Sequence, residues 1–323
     1  MIKTVLSGGV LGLLVLLSAC SDPEPPAAEV ELETAPEVSQ VSAEETAYYN
    51  ELRERWLELE HAHMASSATA PPEEPVLDAD GHTPAESSQE PATDADDSTP
   101  ALAIVIDDVG HNLRQGQRLI ALSQPITLAI LPYTPAAQRL AREAAAAGKT
   151  VILHQPMENG AGLPIGPGGL NESMSPDALQ QTLRHNLDSL EHIRGINNHM
   201  GSRLTADRQA MDQVMQVLRE RGLYFIDSRT TAQTQAAFAA DEAGVENLSR
   251  NVFLDNERSV EAIAKVFEQA LELARQQGSA VLIGHPYPQT VDFLEQRLAT
   301  DLLTQEGVQL VSVEELLARK YRR

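Results

Sequence analysis

The chain has 323 residues, of which 47 are acidic and 24 are basic, and its formal net charge is −23. This excess of acid argues against nucleic-acid binding and against attachment to membranes through basic residues, because both need a positive surface. Since 42% of the residues are hydrophobic and 4% are aromatic, we expect a substantial core made mostly of aliphatic side chains.

The amino terminus has the pattern of a secretory signal. Lys3 precedes an apolar run at residues 10–17 that is short for a membrane span, and small residues then lead to Cys20, the sole cysteine. The Leu-Ser-Ala-Cys sequence ending there resembles the signal of bacterial lipoproteins, which implies removal of residues 1–19 and lipidation of Cys20. The acyl chains would anchor the protein without a spanning helix. Ser21 after the cysteine implies a position at the outer membrane, facing the periplasm. The alternative to a cleaved lipoprotein signal is an uncleaved anchor with an incidental cysteine.

Residues 20–100 are predicted to be a disordered acidic tether. Residues 21–100 contain ten of the 19 prolines and 21 of the 47 acidic residues, but two of the 24 basic ones. Such a segment buries too little apolar surface to offset the entropy lost on ordering. Residues 44–64 are an exception, because their apolar side chains have roughly helical spacing. This stretch is a possible short helix that is isolated, bound to a partner or docked on the following domain.

Residues 101–323 alternate between short apolar runs and helical stretches. The runs predict buried parallel strands at Ala101–Ile106, Ile126–Leu131, Thr150–Leu153, Gly195–Asn198, Leu223–Ile226, Glu246–Phe253, Ser279–Ile283 and Val308–Val311. The helical stretches are Thr134–Ala147, Ser175–Leu190, Thr205–Arg221, Ser259–Gln277, Gln289–Leu303 and a final helix after a capping box at Ser312. Seven or eight β-α units in about 220 residues favour a barrel of parallel strands over an open sheet.

Polar residues lie at the ends of most of these predicted strands, where parallel barrels carry their catalytic groups. They include Asp107, Asp108, His154, Glu158, Asn198, His199, Asp227, Asp255 and His285. Two adjacent buried carboxylates repel each other, and this repulsion raises the pKa of one of them. A bound cation relieves the repulsion. One carboxylate with two imidazoles is a common set of metal ligands, which leaves the second carboxylate as a base and a further histidine as an acid. The pattern therefore predicts metal-assisted hydrolysis of an amide or ester.

Five motifs follow one another between residues 101 and 317. They are Ile-Asp-Asp-Val-Gly at 106–110, Leu-His-Gln-Pro-Met-Glu at 153–158, Asn-Asn-His-Met-Gly-Ser at 197–202, Asp-Ser-Arg-Thr at 227–230 and Gly-His-Pro at 284–286. Together they resemble the divergent polysaccharide deacetylase family of bacterial envelopes. The resemblance implies a distorted (β/α) barrel of about seven parallel strands. It also implies a relation to metal-dependent carbohydrate deacetylases, which remove N-acetyl or O-acetyl groups.

The resemblance also implies roles for individual residues. Asp107 corresponds to the catalytic base, Asp108 to a metal ligand and His285 to the catalytic acid. The third-strand motif of the family, His-x-x-x-His, normally supplies two ligands, but here a glutamate stands in the place of its second histidine. His154 therefore keeps its ligand role, and His199 at the next strand end is the predicted replacement. The expected cofactor is a divalent metal, with zinc as the first choice.

Other strand-end residues are candidates for contacts with the metal or the substrate. They are Glu158, which competes with His199 as a ligand, Asn198, Arg203 and Asp227. The Arg-x-Pro-Tyr motif usual in the family is missing, and Arg203 is the candidate that partly replaces it. The Gly- and Pro-rich stretch at 159–169 is predicted to be a loop above the barrel mouth, which is a mobile lid, a substrate rim or a flexible connection with no role in binding.

The expected function is removal of acetyl groups from an envelope polysaccharide or related glycan, including peptidoglycan-related ones. The alternative is a catalytically inactive, glycan-binding or scaffolding lipoprotein that keeps a deacetylase-like pocket. The altered third-strand motif favours the alternative. The pair Asp107 and Asp108, together with the separate His285, favours an enzyme, because a binding protein needs neither a base nor an acid.

Overall fold

The computed structural model describes residues 99–299 and 306–322, and the predicted signal, tether and 44–64 helix lie outside them. Within these ranges the strands are β1 (Ala101–Val109), β2 (Ile126–Ile130), β3 (Thr150–Met157), β4 (Ile193–Met200), β5 (Tyr224–Asp227), β6 (Asn247–Ser249), β7 (Val252–Phe253), β8 (Ser279–Gly284) and β9 (Gln309–Leu310). The helices are α1 (Leu113–Ala121), α2 (Ala137–Ala146), α3 (Pro176–Asp188), α4 (Arg208–Arg221), α5 (Ala236–Ala243), α6 (Val260–Gln277), α7 (Pro288–Arg297) and α8 (Val313–Tyr321). None of these helices is both long and apolar enough to cross a membrane.

The strands of the described ranges pair in parallel and form a curled sheet. Their order is β6-β5-β4-β3-β2-β1-β8-β7, and β9 pairs with the start of β1. Although β6 and β7 are at opposite ends of this order, two residues, Arg250 and Asn251, separate them in the chain. One extended length of chain therefore pairs first with β5 and then with β8, and it joins the two ends of the sheet. Counted as one strand, it gives the predicted distorted barrel of about seven parallel strands.

The strands alternate between two cores. On β1, Leu102, Ile104 and Ile106 pack into a large core shared with the surrounding helices. The intervening residues of β1 belong to a second core inside the barrel, which also receives Val313 and Leu316 of α8. Because β9 pairs with the first two residues of β1, α8 closes the barrel end at which the strands begin. The opposite end, where the strands finish, carries the polar residues.

Two helices that the sequence pattern did not predict complete the barrel wall. In α1, Gly116 lies so close to α2 that a Cβ on it would be 2.5 Å from Leu140 Cδ1. This close packing requires a glycine, but a glycine in mid-helix weakens the helical sequence pattern. The other unpredicted helix, α5, is eight residues long and rich in alanine, so it shows little polar alternation. In addition, β3 and β4 are longer than predicted and carry His154 and His199 within the strands.

Candidate metal centre and active site

Asp107 and Asp108 both contribute to one site, although neighbouring residues of a strand normally face opposite sides. On β1, Ile106 lies opposite Leu128 of β2 and Val109 lies opposite Ile130, so β1 has one extra residue in this interval. This bulge coincides with a left-handed backbone at Asp108, where φ is 54°. Both carboxylates are almost fully buried, because Asp107 exposes 4% and Asp108 exposes 2% of its surface. The bulge explains how two consecutive carboxylates meet the same group of histidines.

Three donor atoms form a small triangle at the ends of β1, β3 and β4. Asp108 Oδ1 is 3.3 Å from His154 Nε2 and 2.9 Å from His199 Nδ1, and the two ring nitrogens are 3.2 Å apart. Donors bound about 2.0–2.1 Å from a tetrahedral ion lie about 3.3 Å from one another. The spacing therefore fits one divalent ion, and these three residues form a candidate metal triad. They are the three ligands that were predicted from the sequence.

Asn197 links the triad to the neighbouring carboxylate. Its Nδ2 donates a hydrogen bond to Asp107 Oδ1, and its Oδ1 accepts one from His154 Nδ1, both at 2.7 Å. Because an amide oxygen can only accept, His154 must carry its proton on Nδ1, and Nε2 presents a lone pair to the triad. Sequence reasoning assigned no role to Asn197. Its place in β4, two residues before His199 and hence on the same face of the strand, was the available signal.

Burial dominates the ionisation of this cluster. Burial raises the pKa of Asp107, against the opposing effects of His154 and His285. Burial lowers the pKa of His199, and the nearby Asp108 carboxylate does not reverse this. For His154, burial also lowers the pKa, but Asp107 and Asp108 together raise it above the ordinary value. A cation at the triad favours ionised carboxylates and neutral imidazoles, which is the state that ligands need.

His285 lies after β8, on the side of β1 away from β3 and β4. Its backbone N–H donates to Asp255 Oδ2 at 2.6 Å and its Nδ1 donates to Oδ1 at 2.9 Å, while Thr290 Oγ1 donates to Oδ2 at 2.8 Å. Burial lowers the pKa of His285, but the Asp255 carboxylate, together with smaller contributions from Asp108 and Asp107, raises it to about 9. The imidazole is therefore protonated at neutral pH. Sequence reasoning noted Asp255 at a strand end without giving it this part.

His154 and His199 of the triad, together with Asp107 and His285, line one cleft at the carboxyl ends of the strands, and Asp108 is in contact with both triad histidines. Apolar side chains of Met200, Phe253 and Ile283 complete its walls. A pocket that combines an apolar wall with a few convergent polar groups is typical of a small-molecule or substrate site. The arrangement can hold a metal ion, take a proton on one side and donate a proton on the other.

Asn198 and Asp227, two of the candidate substrate residues, hold strand ends in place. Asn198 lines the cleft, but its Oδ1 accepts from the backbone N–H of Ser228 and its Nδ2 donates to the carbonyl of Met200. The Asp227 carboxylate accepts from the Arg229 N–H and from a threonine hydroxyl in the turn that follows β5. Their hydrogen bonds thus fix the chain segments that follow β4 and β5 beside the cleft.

Glu158 and Arg203 lie together away from the triad. Glu158 Oε2 accepts from the backbone N–H of Glu172, and its Oε1 is 3.5 Å from Arg203 Nε. Arg203 also forms an ion pair with Glu172, and its side chain is half exposed. Glu158 is not one of the three donors that converge, so the geometry favours His199 over Glu158 as the third ligand.

Comparisons with known proteins agree with this architecture. A family model described as divergent polysaccharide deacetylase matches residues 104–317. An uncharacterized protein of Haemophilus influenzae is 37% identical over 215 residues, which is 67% of this chain and 76% of that protein. The uncharacterized protein YibQ of Escherichia coli is 40% identical over 195 residues, which is 60% of this chain and 61% of that protein. The crystal structure of an uncharacterized protein from Agrobacterium tumefaciens shares the fold, with a TM-score of 0.64 at 23% identity over 70% of this chain and 92% of that one.

Proposed function

Because the chain belongs to the divergent polysaccharide deacetylase family, we propose that it is a metal-dependent hydrolase that removes acetyl groups from an envelope polysaccharide or related glycan. One observation carries the proposal: two histidines of the candidate metal triad, the buried Asp107 carboxylate and the His285 imidazole, whose pKa is raised to about 9, line a single cleft. Hydrolysis of an amide or ester needs a proton acceptor for water and a proton donor for the leaving group. A protein that only binds glycans has no use for both.

Asp108, His154 and His199 are the residues that would hold the ion. Their one oxygen and two nitrogen donors suit zinc, which commonly takes three protein ligands and keeps a position open in catalytic sites. A zinc ion held there supplies Lewis-acid chemistry to the acyl carbonyl and to water. The Asn197 amide keeps His154 in the tautomer that can bind the ion.

Asp107 and His285 divide the proton transfers. Asp107 Oδ1 is fixed by the Asn197 amide, and the carboxylate accepts a proton from the water that attacks the acetyl carbon. His285 donates its Nε2 proton to the sugar nitrogen or oxygen as the bond from that atom to the acetyl carbon breaks. The products are acetate and a free amine or hydroxyl on the sugar.

The proposal includes a place in the cell. Cys20 and the preceding signal support a lipid anchor at the outer membrane, with the protein facing the periplasm. The acidic, Pro-rich segment that follows would then act as an extended spacer between the membrane and the barrel. A peptidoglycan-related glycan is the substrate that this location brings within reach.

The test is acetate release by the purified full chain loaded with Zn²⁺. Substrates should include N-acetylated and O-acetylated sugars, chitin oligomers and peptidoglycan fragments. The matched control is Asp107→Asn, which keeps the size of the side chain but cannot accept the proton. We expect acetate from the wild type and almost none from the variant at equal zinc content. Zinc-loaded wild type that binds glycans but releases no acetate would support the inactive, glycan-binding alternative instead.

A further inference from the structure

The Gly- and Pro-rich segment Asn159–Gly169, here called the rim loop, folds down onto the barrel mouth. Leu163 and Ile165 of this loop pack against Met200 and Tyr287, which are each 7% exposed, in one apolar cluster. Met200 is part of the cleft wall. The ring of Tyr287 lies 5.5 Å from the ring of His285, measured between centroids. The tip of the rim loop therefore contacts residues that adjoin the catalytic groups directly.

The cluster joins parts of the barrel that are far apart around its circumference. The rim loop follows β3, Met200 ends β4, and Tyr287 comes shortly after β8. In the sheet, β3, β2 and β1 separate β4 from β8 in one direction, and β5 and the β6–β7 segment separate them in the other. A contact between these elements must cross the mouth, so the loop passes over one side of the mouth.

The rim loop is held at both ends. Asn159 Oδ1 accepts from the N–H groups of Ala161 and Leu163, both at 3.0 Å, and its Nδ2 donates to the carbonyl of Leu163 at 2.9 Å. At the other end, Gln155 and Asn186 both donate side-chain hydrogen bonds to the carbonyl of Gly168. These hydrogen bonds fix the position of Leu163 and of the end of the loop at Gly168. The loop is thus a fixed part of the barrel mouth rather than a loose connection.

A loop fixed across one side of the mouth restricts what can reach the catalytic groups. An internal unit of a polysaccharide has chain on both sides of its acetyl group, so it needs a groove that is open at both ends. With the rim loop on one side, a sugar at the catalytic groups can continue into a chain in one direction.

We propose that the rim loop, through Leu163 and Ile165, makes this enzyme select acetylated sugars at a chain end, or single acetylated sugars, over internal units. The inference rests on the proposed deacetylase function and adds the form of the substrate to it. The loop acts by preventing the polysaccharide from continuing on the side of the bound sugar where the loop lies. Neither Leu163 nor Ile165 takes part in the chemistry.

The first test compares rates on an acetylated sugar monomer and on a long, fully acetylated oligomer of it, using the zinc-loaded full chain. The double variant Leu163→Ser with Ile165→Ser removes the apolar contact, and Pro164→Ser changes an exposed residue of the same loop as a control. We expect the wild type to release acetate from the oligomer only at an end. In the double variant, we expect the rate on internal units to rise by about 10-fold or more relative to the monomer rate. The Pro164→Ser ratio should stay that of the wild type.

The second test needs no turnover and does not depend on the folding of the loop variant. The Asp107→Asn protein is titrated with oligomers of two lengths, and the number of protein molecules bound per chain is measured. Chain-end selection predicts the same number for both lengths. A number that rises with length, release of acetate from internal units by the wild type, or no binding of any oligomer or monomer would each overturn the inference. Absence of acetate from every substrate would instead overturn the proposed function, and the binding ratio would still decide the role of the loop.

Discussion

Asp255 and His285 are joined by two hydrogen bonds, because the carboxylate accepts from both the backbone N–H and the ring Nδ1 of the same histidine. Asp255 follows β7 and His285 follows β8, and these strands are neighbours in the sheet. The double contact fixes the direction of the imidazole as well as its charge. Nε2 is left as the ring atom that can donate a proton into the cleft.

The first prediction concerns the pH dependence of deacetylation. Because the pKa of His285 is raised to about 9, the acid stays protonated at neutral pH and the rate should fall as the pH rises through about 9. Asp255→Asn removes the negative charge that raises this pKa, so the alkaline decline should move to lower pH by about one unit or more. Rates are measured across the pH range at saturating zinc. Glu257→Gln, an exposed carboxylate on the same loop, is the control, and an unmoved decline in Asp255→Asn would contradict the pairing.

The second prediction separates the metal ligands from the base. Alanine at Asp108, His154 or His199 should weaken zinc binding by more than the roughly 10–100-fold that losing a hydrogen-bond partner of a ligand costs. Asp107→Asn should keep zinc while turnover falls by roughly 10²–10⁴-fold, as for loss of a general base. Metal content after dialysis and acetate release are the two measurements. Glu158→Gln should keep its zinc, and the ligand assignment fails if it loses zinc while His199→Ala retains it.

The third prediction concerns Asn197. Asn197→Leu has a similar volume but cannot hold the Nδ1 proton of His154 or the Asp107 carboxylate, so zinc affinity should fall by roughly 10–100-fold. Competition with a coloured chelator measures that affinity. At saturating zinc the rate should still be reduced, because Asp107 has lost its anchor. Asn256→Leu, at an exposed asparagine, should change neither quantity, and wild-type zinc affinity in Asn197→Leu would show that the bridge has no role.

The fourth prediction concerns the support of the Asp107–Asp108 bulge. Gly110 has φ 133°, and a Cβ on it would lie 2.0 Å from Thr134 Oγ1. Gly110→Ala must therefore displace the segment after β2 that contains Thr134. We expect backbone strain alone to lower the free energy of unfolding of Gly110→Ala by about 1–3 kcal/mol. We also expect the variant to lose activity, because the bulge shifts. Gly162→Ala is the matched control, since φ is 69° there but no atom lies within 4 Å of the added Cβ. Thermal unfolding of both variants decides, and equal melting temperatures would contradict the close contact.

The fifth prediction concerns the anchor. Cys20→Ser should release the protein from membranes or leave its signal uncleaved, because the thiol is the proposed site of lipidation. Membrane fractionation and the mass of the amino-terminal peptide measure the two outcomes. Ser21→Ala should behave as the wild type. A Cys20→Ser protein that is still processed and still bound to membranes would show that the protein is not a lipoprotein.

The strand-end pattern was enough to predict the barrel and the gathering of polar residues at one end of it, because a parallel sheet brings the ends of its strands together whatever the helices do. The family resemblance then assigned Asp108, His154 and, in place of the missing second histidine, His199 as ligands, and these three residues form the candidate triad. Asn197 was missed because an amide in a strand has no sequence signature of its own, and its partners are 90 and 43 residues away. Helix α1 was missed because Gly116, which its packing needs, is unfavourable for an isolated helix.

The two-residue link between β6 and β7 has a consequence for the order in which the candidate catalytic groups are positioned during folding. That segment can pair on both sides only after β5 and β8 are in place, and β8 itself pairs with β1 from the far end of the domain sequence. Asp255 comes directly after the link, so it reaches His285 as the ring of strands closes. A partly folded chain could therefore assemble the candidate metal triad on β1, β3 and β4 but would lack a positioned His285. For the proposed deacetylase, hydrolysis would begin only once the ring of strands has closed.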